Sequence, residues 1–272
     1  MTIRVVSINI WGGRVYEPLM KYLPAVNADV YCLQEVYNAP VPMDEWLIYG
    51  ANDAWEGEKV RPNLFREIGE VLPEHRGMYF PAARGFLHDG AKTEHPVEYG
   101  IATFVRWSLP IIGERMDFVY SKFRHWGYGD PPLSRNAHCI RLFDYGKSKP
   151  VTIAHMHGLY DKRGKIDSDI REDQARAFAS LIGDVAEDGD AVVACGDWNV
   201  LPTSSTFTIL KKLWLRDLVV GGGHTDTRSS FYKKNPRYAD YMMVSPSVRV
   251  LDFEVVADPE VSDHRPLVLN CE

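Results

Sequence analysis

Residues 191–199 read AVVACGDWN, and the way that run ends decides what kind of fold carries it. Ala191 to Cys195 form an unbroken apolar stretch closed by Gly196, the signature of a strand. Asp197 and Asn199 follow at i, i+2, a spacing that puts both side chains on one side of an extended segment. Residues 261–269, VSDHRPLVL, reverse the order, with Asp263 and His264 ahead of the apolar run Pro266 to Leu269. Asp and Asn are common at strand ends for backbone reasons alone. Two strand mouths furnished with Asp, Asn, Asp and His ask for more than that.

Working outward, strand-like segments lie at residues 3–10, 29–34, 100–107, 110–119, 137–143, 150–157, 190–196, 239–244, 248–256 and 266–270. Helical patterns cover 15–27, 204–213 and, best of all, 168–187, where Ser168 or Asp169 can cap an apolar stripe of Ala175, Phe178, Ala179, Leu181 and Ile182. Strands outnumber helices and do not alternate with them regularly. The expected class is therefore α/β, with two packed mixed sheets and helices outside.

Length and composition agree. The chain has 272 residues, 45% hydrophobic and 25% charged, and no Ser/Gly tract, charge block or repeat divides it. One domain over residues 1–272 is expected. The start lacks a signal-peptide pattern and no apolar run is long enough to span a bilayer, so a cytoplasmic setting without a membrane span is the expectation. A net charge of −6 disfavours broad electrostatic binding to nucleic acid, while a local basic rim remains compatible with a nuclease. Cys32, Cys139, Cys195 and Cys271 form no CxxC pair, which reads as buried free thiols and argues against zinc.

Polar residues recur where strands end. Asn9 interrupts VVSINIWGG, Glu35 ends DVYCLQEV, His155 and His157 end VTIAHMHG, and Asp240 enters ADYMMV. Glu35 is either a ligand for a hard cation such as Mg²⁺ or a solvated strand end. Asp197 and Asn199 are either a proton acceptor and a phosphate-side amide or an ordinary turn. His264 is either a phosphate-binding imidazole, oriented by Asp240, or a core histidine. Glu98 offers a similar orienting carboxylate to His157.

Taken together and in this order, SINIWGG, CLQEV, EYGIATFVR, VTIAHMHG, CGDWN, ADYMMVS and SDHRPLV resemble the endonuclease/exonuclease/phosphatase superfamily, deoxyribonuclease-I-like enzymes among them. The resemblance implies a four-layer α/β sandwich with its site between the ends of two sheets. It implies Glu35 as the main Mg²⁺ ligand, Mn²⁺ being a substitute, with Asn9 and Asp263 nearby. Asp197 would orient or deprotonate the attacking water and Asn199 would stabilise the phosphorane-like transition state. His264, oriented by Asp240, and His157 would contact the phosphate. Arg171 and Gln174 of REDQ are read as structural.

Departures from the pattern bear on substrate. Arg237 is displaced from its place beside the Asp240 motif in the apurinic endonucleases, and LQEV is closer to other branches. Two loops are the candidates for substrate choice. Residues 120–136 offer Arg124, His125, Trp126, Tyr128 and Arg135 for stacking and phosphate contacts, or aromatics that merely cover the sandwich edge. Residues 160–165 offer Arg163 beside Lys162 and Lys165, or a solvated turn. The implied partner is a phosphate-ester substrate. DNA is the first expectation, a small or lipid-linked phosphate the second, and a catalytically silent binding module the third. None of these motifs encodes an oligomeric state.

Overall fold

The computed structural model describes residues 2–50 and 57–272. In chain order β1 (Ile3–Asn9), α1 (Tyr16–Val26) and β2 (Val30–Asn38) come first, then β3 (Leu47–Tyr49), β4 (Glu58–Val60) and α2 (Leu64–Val71). The middle holds β5 (His75–Gly85), β6 (His88–Asp89), β7 (Ala91–Lys92), β8 (Val97–Arg106) and β9 (Ile111–Tyr120). There follow β10 (Arg135–Asp144), β11 (Lys149–His157), α3 (Asp169–Val185), β12 (Ala191–Asp197) and α4 (Ser205–Leu210). The chain closes with β13 (Arg216–Asp217), β14 (Asp240–Val244), β15 (Val250–Val255) and β16 (Leu267–Cys271).

These strands build two six-stranded mixed sheets, in spatial order β15-β16-β1-β2-β8-β5 and β13-β14-β12-β11-β10-β9, plus a small sheet β4-β3-β6-β7. Period-2 alternation sets the layers. In β1 and β2, Val5, Val30 and Cys32 face the second sheet, joining Ile153, Val193 and Leu267 in the larger core. Val6, Ile8, Tyr31 and Leu33 face the other way, under Leu19 and Leu23 of α1 and Leu64 and Ile68 of α2. Phe178, Leu181 and Ile182 of α3 cover the second sheet. The result is an α/β sandwich of two mixed sheets flanked by a few helices, as expected. Burial of each such side chain contributes about 1.5–3 kcal/mol.

All ten expected strands are present. The second runs on to Asn38 instead of stopping at 34, because a bulge between Gln34 and Val36 lets pairing with β8 resume. Ser168, not Asp169, caps α3, its hydroxyl accepting from the Arg171 N–H. The helix expected over 204–213 is α-helical to Leu210 and closes in a 3₁₀ turn, Lys211–Leu213. All four cysteines are buried and free. Among the described residues, no helix is long and apolar enough to cross a membrane.

A polar chain crosses the apolar space between the sheets. Gln34 Nε2 lies 3.2 Å from His155 Nδ1, and the hydroxyl of Thr103 lies 2.8 Å from His155 Nε2 and 2.7 Å from His138 Nδ1. Since an amide nitrogen only donates, the order of donation follows: Gln34 to His155, His155 to Thr103, Thr103 to His138. Both rings are neutral in this arrangement, and burial lowers the pKa of each.

Candidate active site

Strand register delivers the polar ends to one place. Parallel pairing sets His157 beside Asp197, antiparallel pairing sets Asp197 beside Asp240, and parallel β1 and β2 set Asn9 beside Gln34. Gly196 makes the Asp197 corner possible. Its φ is +130° and a Cβ there would meet the Met156 carbonyl oxygen at 2.1 Å, so only glycine fits. Three non-glycine residues lining the cleft hold left-handed backbone, Trp11 at φ +50°, Glu35 at φ +59° in its bulge and Asn199 at φ +53°. Such conformations cost roughly 1–3 kcal/mol each and concentrate at functional sites.

Asp197 is the hub. Its Oδ2 accepts from Asn9 Nδ2 at 3.0 Å and its Oδ1 from the Asn199 backbone N–H at 3.1 Å. The Nε2 atoms of His157 and His264 each stand 3.7 Å from Oδ2. Glu35 Oε1 stands 3.7 Å from His157 Nε2 on the other side. Burial holds His157 neutral, well below its ordinary range. Glu35 sits in a cleft whose walls remove most of its solvent. That desolvation pushes its pKa up to about 7, with Asp263 and Asp197 adding to the effect against the opposing Asn9 hydrogen bond.

His264 is gripped on both nitrogens, by Asp240 at Nδ1 and by the Arg228 guanidinium at Nε2. Arg228 also donates to Asp263 Oδ2 at 2.8 Å and lies over the Tyr232 ring at 4.3 Å. Arg228 is buried and was not singled out by sequence reasoning. Its loop, TDTRSS, has no periodic or motif signal; an isolated β-bridge to His264 and the Thr227 hydroxyl, accepting from the Ala239 N–H at 3.0 Å, bring it here. Lys165 also approaches, donating to the Tyr238 carbonyl. Burial first, then Arg228, lowers its pKa to about 8.

The acidic groups suit a divalent cation. Asp197, Asp240 and His264 offer ligand atoms within 4.8 Å of one another. Asp240 and His264 are hydrogen-bonded to each other, however, which commits the atoms a metal would need. Glu35 and Asp263 are freer, and the Asp263 Oδ1 atom is buried without a hydrogen-bond partner. A buried lone carboxylate oxygen beside a second carboxylate with a raised pKa is what oxygen-ligated cations satisfy.

The loop candidates part company. Arg135 lines the cleft, with Nε donating to the Gly158 carbonyl at 3.0 Å. Arg124 packs its guanidinium over Gly129, and Trp126 is 83% exposed against His125; neither lines the cleft. Arg163 pairs with Asp161 at 2.6 Å, also outside it. Glu98 accepts from Asn38 at 3.4 Å, while the carboxylates brought to His157 are those of Glu35 and Asp197. Arg171 and Gln174 tie down the segment after His157, Arg171 through the Gly164 and Ile166 carbonyls and Gln174 through the Leu159 N–H.

A sequence profile of the Endonuclease/Exonuclease/phosphatase family matches residues 6–264. No curated protein matches the sequence significantly. Among solved structures, a mannosyl-6-phosphatase from Bacteroides thetaiotaomicron shares 15% identity over 99% of both chains, with a TM-score of 0.69. D. rerio TDP2 complexed with single strand DNA product shares 13% identity over 100% of this chain and 99% of its own, with a TM-score of 0.63. The human Nocturnin catalytic domain with bound sulfate anion shares 16% identity over 100% and 94%, with a TM-score of 0.59. At these identities the likeness to the three structures is one of fold alone.

Proposed function

This chain belongs to the endonuclease/exonuclease/phosphatase family, whose members hydrolyse phosphoester bonds, and from that premise we propose that residues 1–272 act as one metal-dependent phosphoester hydrolase using water as nucleophile. The observation that carries the reading is the surround of Asp197. One carboxylate is fixed by two donors and flanked by two buried imidazoles, inside a cleft that also holds Glu35 and Asp263.

Glu35 and Asp263, with Asn9 beside them, would hold Mg²⁺ or Mn²⁺, which when bound neutralises charge on the phosphoryl oxygens and polarises the phosphorus. Asp197 orients the water and takes its proton as the new P–O bond forms and the ester P–O bond breaks. Asn9 and the Asn199 N–H keep that carboxylate aimed. His157, Arg228 and the Asn199 amide supply donors where negative charge builds on the phosphoryl group, and His264 Nε2 holds the Arg228 guanidinium in place. Asp240 fixes the His264 ring.

Nucleic acid presents a phosphodiester and a compact sugar or nucleoside phosphate a monoester, and water can attack the phosphorus of either. The tyrosine-lined cleft favours the compact ester over the DNA first expected. The test is metal-dependent phosphate release and nicking of supercoiled plasmid at low salt, comparing wild type with Asp197→Ala and with EDTA. Turnover lost in both controls supports hydrolysis. Folded, metal-binding protein that turns over no phosphoester would leave the silent binding module standing instead.

A further inference from the structure

The cleft does not end at the catalytic groups. It continues into a wall made by Tyr37, Tyr49, Tyr99, Tyr128, Pro131 and Leu133, within one cavity of about 330 Å³. That volume is at the small end for ligand pockets, which run from about 300 to 1,000 Å³. We propose that this wall receives the alcohol half of a compact phosphoester carrying one ring-sized group, and so selects single-ring esters over a polynucleotide strand. The proposal rests on the phosphoester-hydrolase reading above.

The wall is built and braced. Tyr49 and Tyr37 meet Tyr128 edge-on, with centroids 5.2 and 6.2 Å apart, and Tyr37 meets Tyr99 at 5.2 Å. The Tyr128 hydroxyl donates to the Val97 carbonyl at 2.9 Å, and the Tyr99 hydroxyl accepts from Arg135 at 3.4 Å. Tyr128 is seated against Gly85, where a Cβ would come within 2.6 Å of its ring. Rings fixed in this way lose little side-chain entropy when a ligand arrives, and they offer both apolar faces and hydroxyls. Ring-bearing alcohols match that surface: a sugar through its C–H faces and hydroxyls, a nucleoside through its base.

A polynucleotide would need something else. Its affinity comes mainly from neutralising successive phosphates with exposed cations. The two arginines lining this cleft, Arg135 and Arg228, are buried and do not form the exposed row of cations that successive phosphates require. Arg14, which lies over the lining residue Trp11, is paired with Glu58 at 3.2 Å. Arg124, Trp126 and Arg163, the loop candidates for gripping a strand, do not line the cleft.

The deciding experiment is calorimetric titration of the full chain in Mg²⁺, carrying Asp197→Ala so that esters survive. The ligands are inorganic phosphate, a hexose 6-phosphate, a nucleoside 5′-monophosphate and a single-stranded oligonucleotide. The expected result is that one ring ester binds roughly tenfold or more tighter than inorganic phosphate, the worth of one stacked ring. Adding Tyr49→Ala, which removes part of the wall, or Leu133→Trp, which fills it, erases that gain and leaves phosphate affinity unchanged. Which ester gains distinguishes sugar from nucleoside. The proposal is overturned if neither ring ester outdoes inorganic phosphate, if the gain survives both added variants, or if the oligonucleotide binds tightest with steep salt dependence. Failure of the underlying reading is seen separately, as wild-type protein that hydrolyses no phosphoester or as hydrolysis that persists in Asp197→Ala.

Discussion

His264 Nδ1 lies 2.8 and 2.9 Å from the two carboxylate oxygens of Asp240, while its Nε2 faces the guanidinium of Arg228. A guanidinium only donates, so Nε2 accepts and the ring proton sits on Nδ1, pointing at Asp240. Asp240 thus sets both the tautomer and the aim of the imidazole, from a place outside the cleft lining.

Replacing Asp240 by Asn keeps the shape and removes the charge that fixes the tautomer. Asp240→Asn is expected to lower kcat by roughly 10²–10³-fold, the range for losing a donor held in place at the developing charge, with KM changing far less. Steady-state kinetics alongside circular dichroism checks this. A folded variant with wild-type kcat would remove Asp240 from the machinery.

Glu35 couples metal binding to pH. Its carboxyl is raised to about 7 from an ordinary 4.5, chiefly by burial. A raised folded-state pKa means that the folded protein holds this proton more tightly than the unfolded chain, so the associated stability is lost as pH rises through about 7. A cation favours the ionised form and offsets that loss. The thermal shift produced by Mg²⁺ should therefore be larger at pH about 8 than at about 6, and Glu35→Gln should flatten the difference. Equal shifts at both pH values in wild type would count against Glu35 as the ligand.

Thr103 joins two neutral buried histidines across the inter-sheet space. Thr103→Val keeps the volume but strands His138 Nδ1 and His155 Nε2, at a cost of roughly 1–3 kcal/mol for each group left unpaired. Acid should act on the same chain. The unfolded state protonates these histidines near the ordinary 6.5, whereas burial keeps the folded state from doing so, and stability falls as pH drops below that value. Chemical denaturation of wild type and variant at two pH values measures both effects. A midpoint unmoved by the substitution would show that the hydroxyl bridge contributes nothing net.

What could be read from the sequence follows what is local. β1, β2, β11 and β12 are apolar runs with their catalytic candidates at the tips, so strand and site were visible together. β5 was not. It is an edge strand reading HRGMYFPAARG, with Pro81 at a bulge and little β-branching, and edge position tolerates what a central strand would not. α2 is only eight residues long, and β3, β4, β6 and β7 have two or three residues each, too short for any period to register. Tyr37, Tyr49, Tyr99 and Tyr128 come from four separate segments, and their convergence is purely tertiary. Arg228 is the sharpest omission for the same reason.

Arg228 therefore supplies the last prediction. It is buried between His264 and Asp263, and its positive charge adds to burial in holding the His264 pKa below its ordinary value. Arg228→Met keeps an unbranched apolar stem of similar girth and removes the charged guanidinium. The His264 pKa, followed by NMR titration of the ring C–H signal, should rise. The direction is set because an imidazolium no longer faces a second cation, while Asp263 and Asp197 still attract it. Inorganic phosphate should bind roughly 10- to 100-fold more weakly, the worth of a charge-assisted hydrogen bond of about 1.5–3 kcal/mol. The two readouts separate two roles. A raised pKa with unchanged phosphate affinity would make Arg228 a tuner of His264 only, whereas weakened phosphate binding places its guanidinium on the substrate.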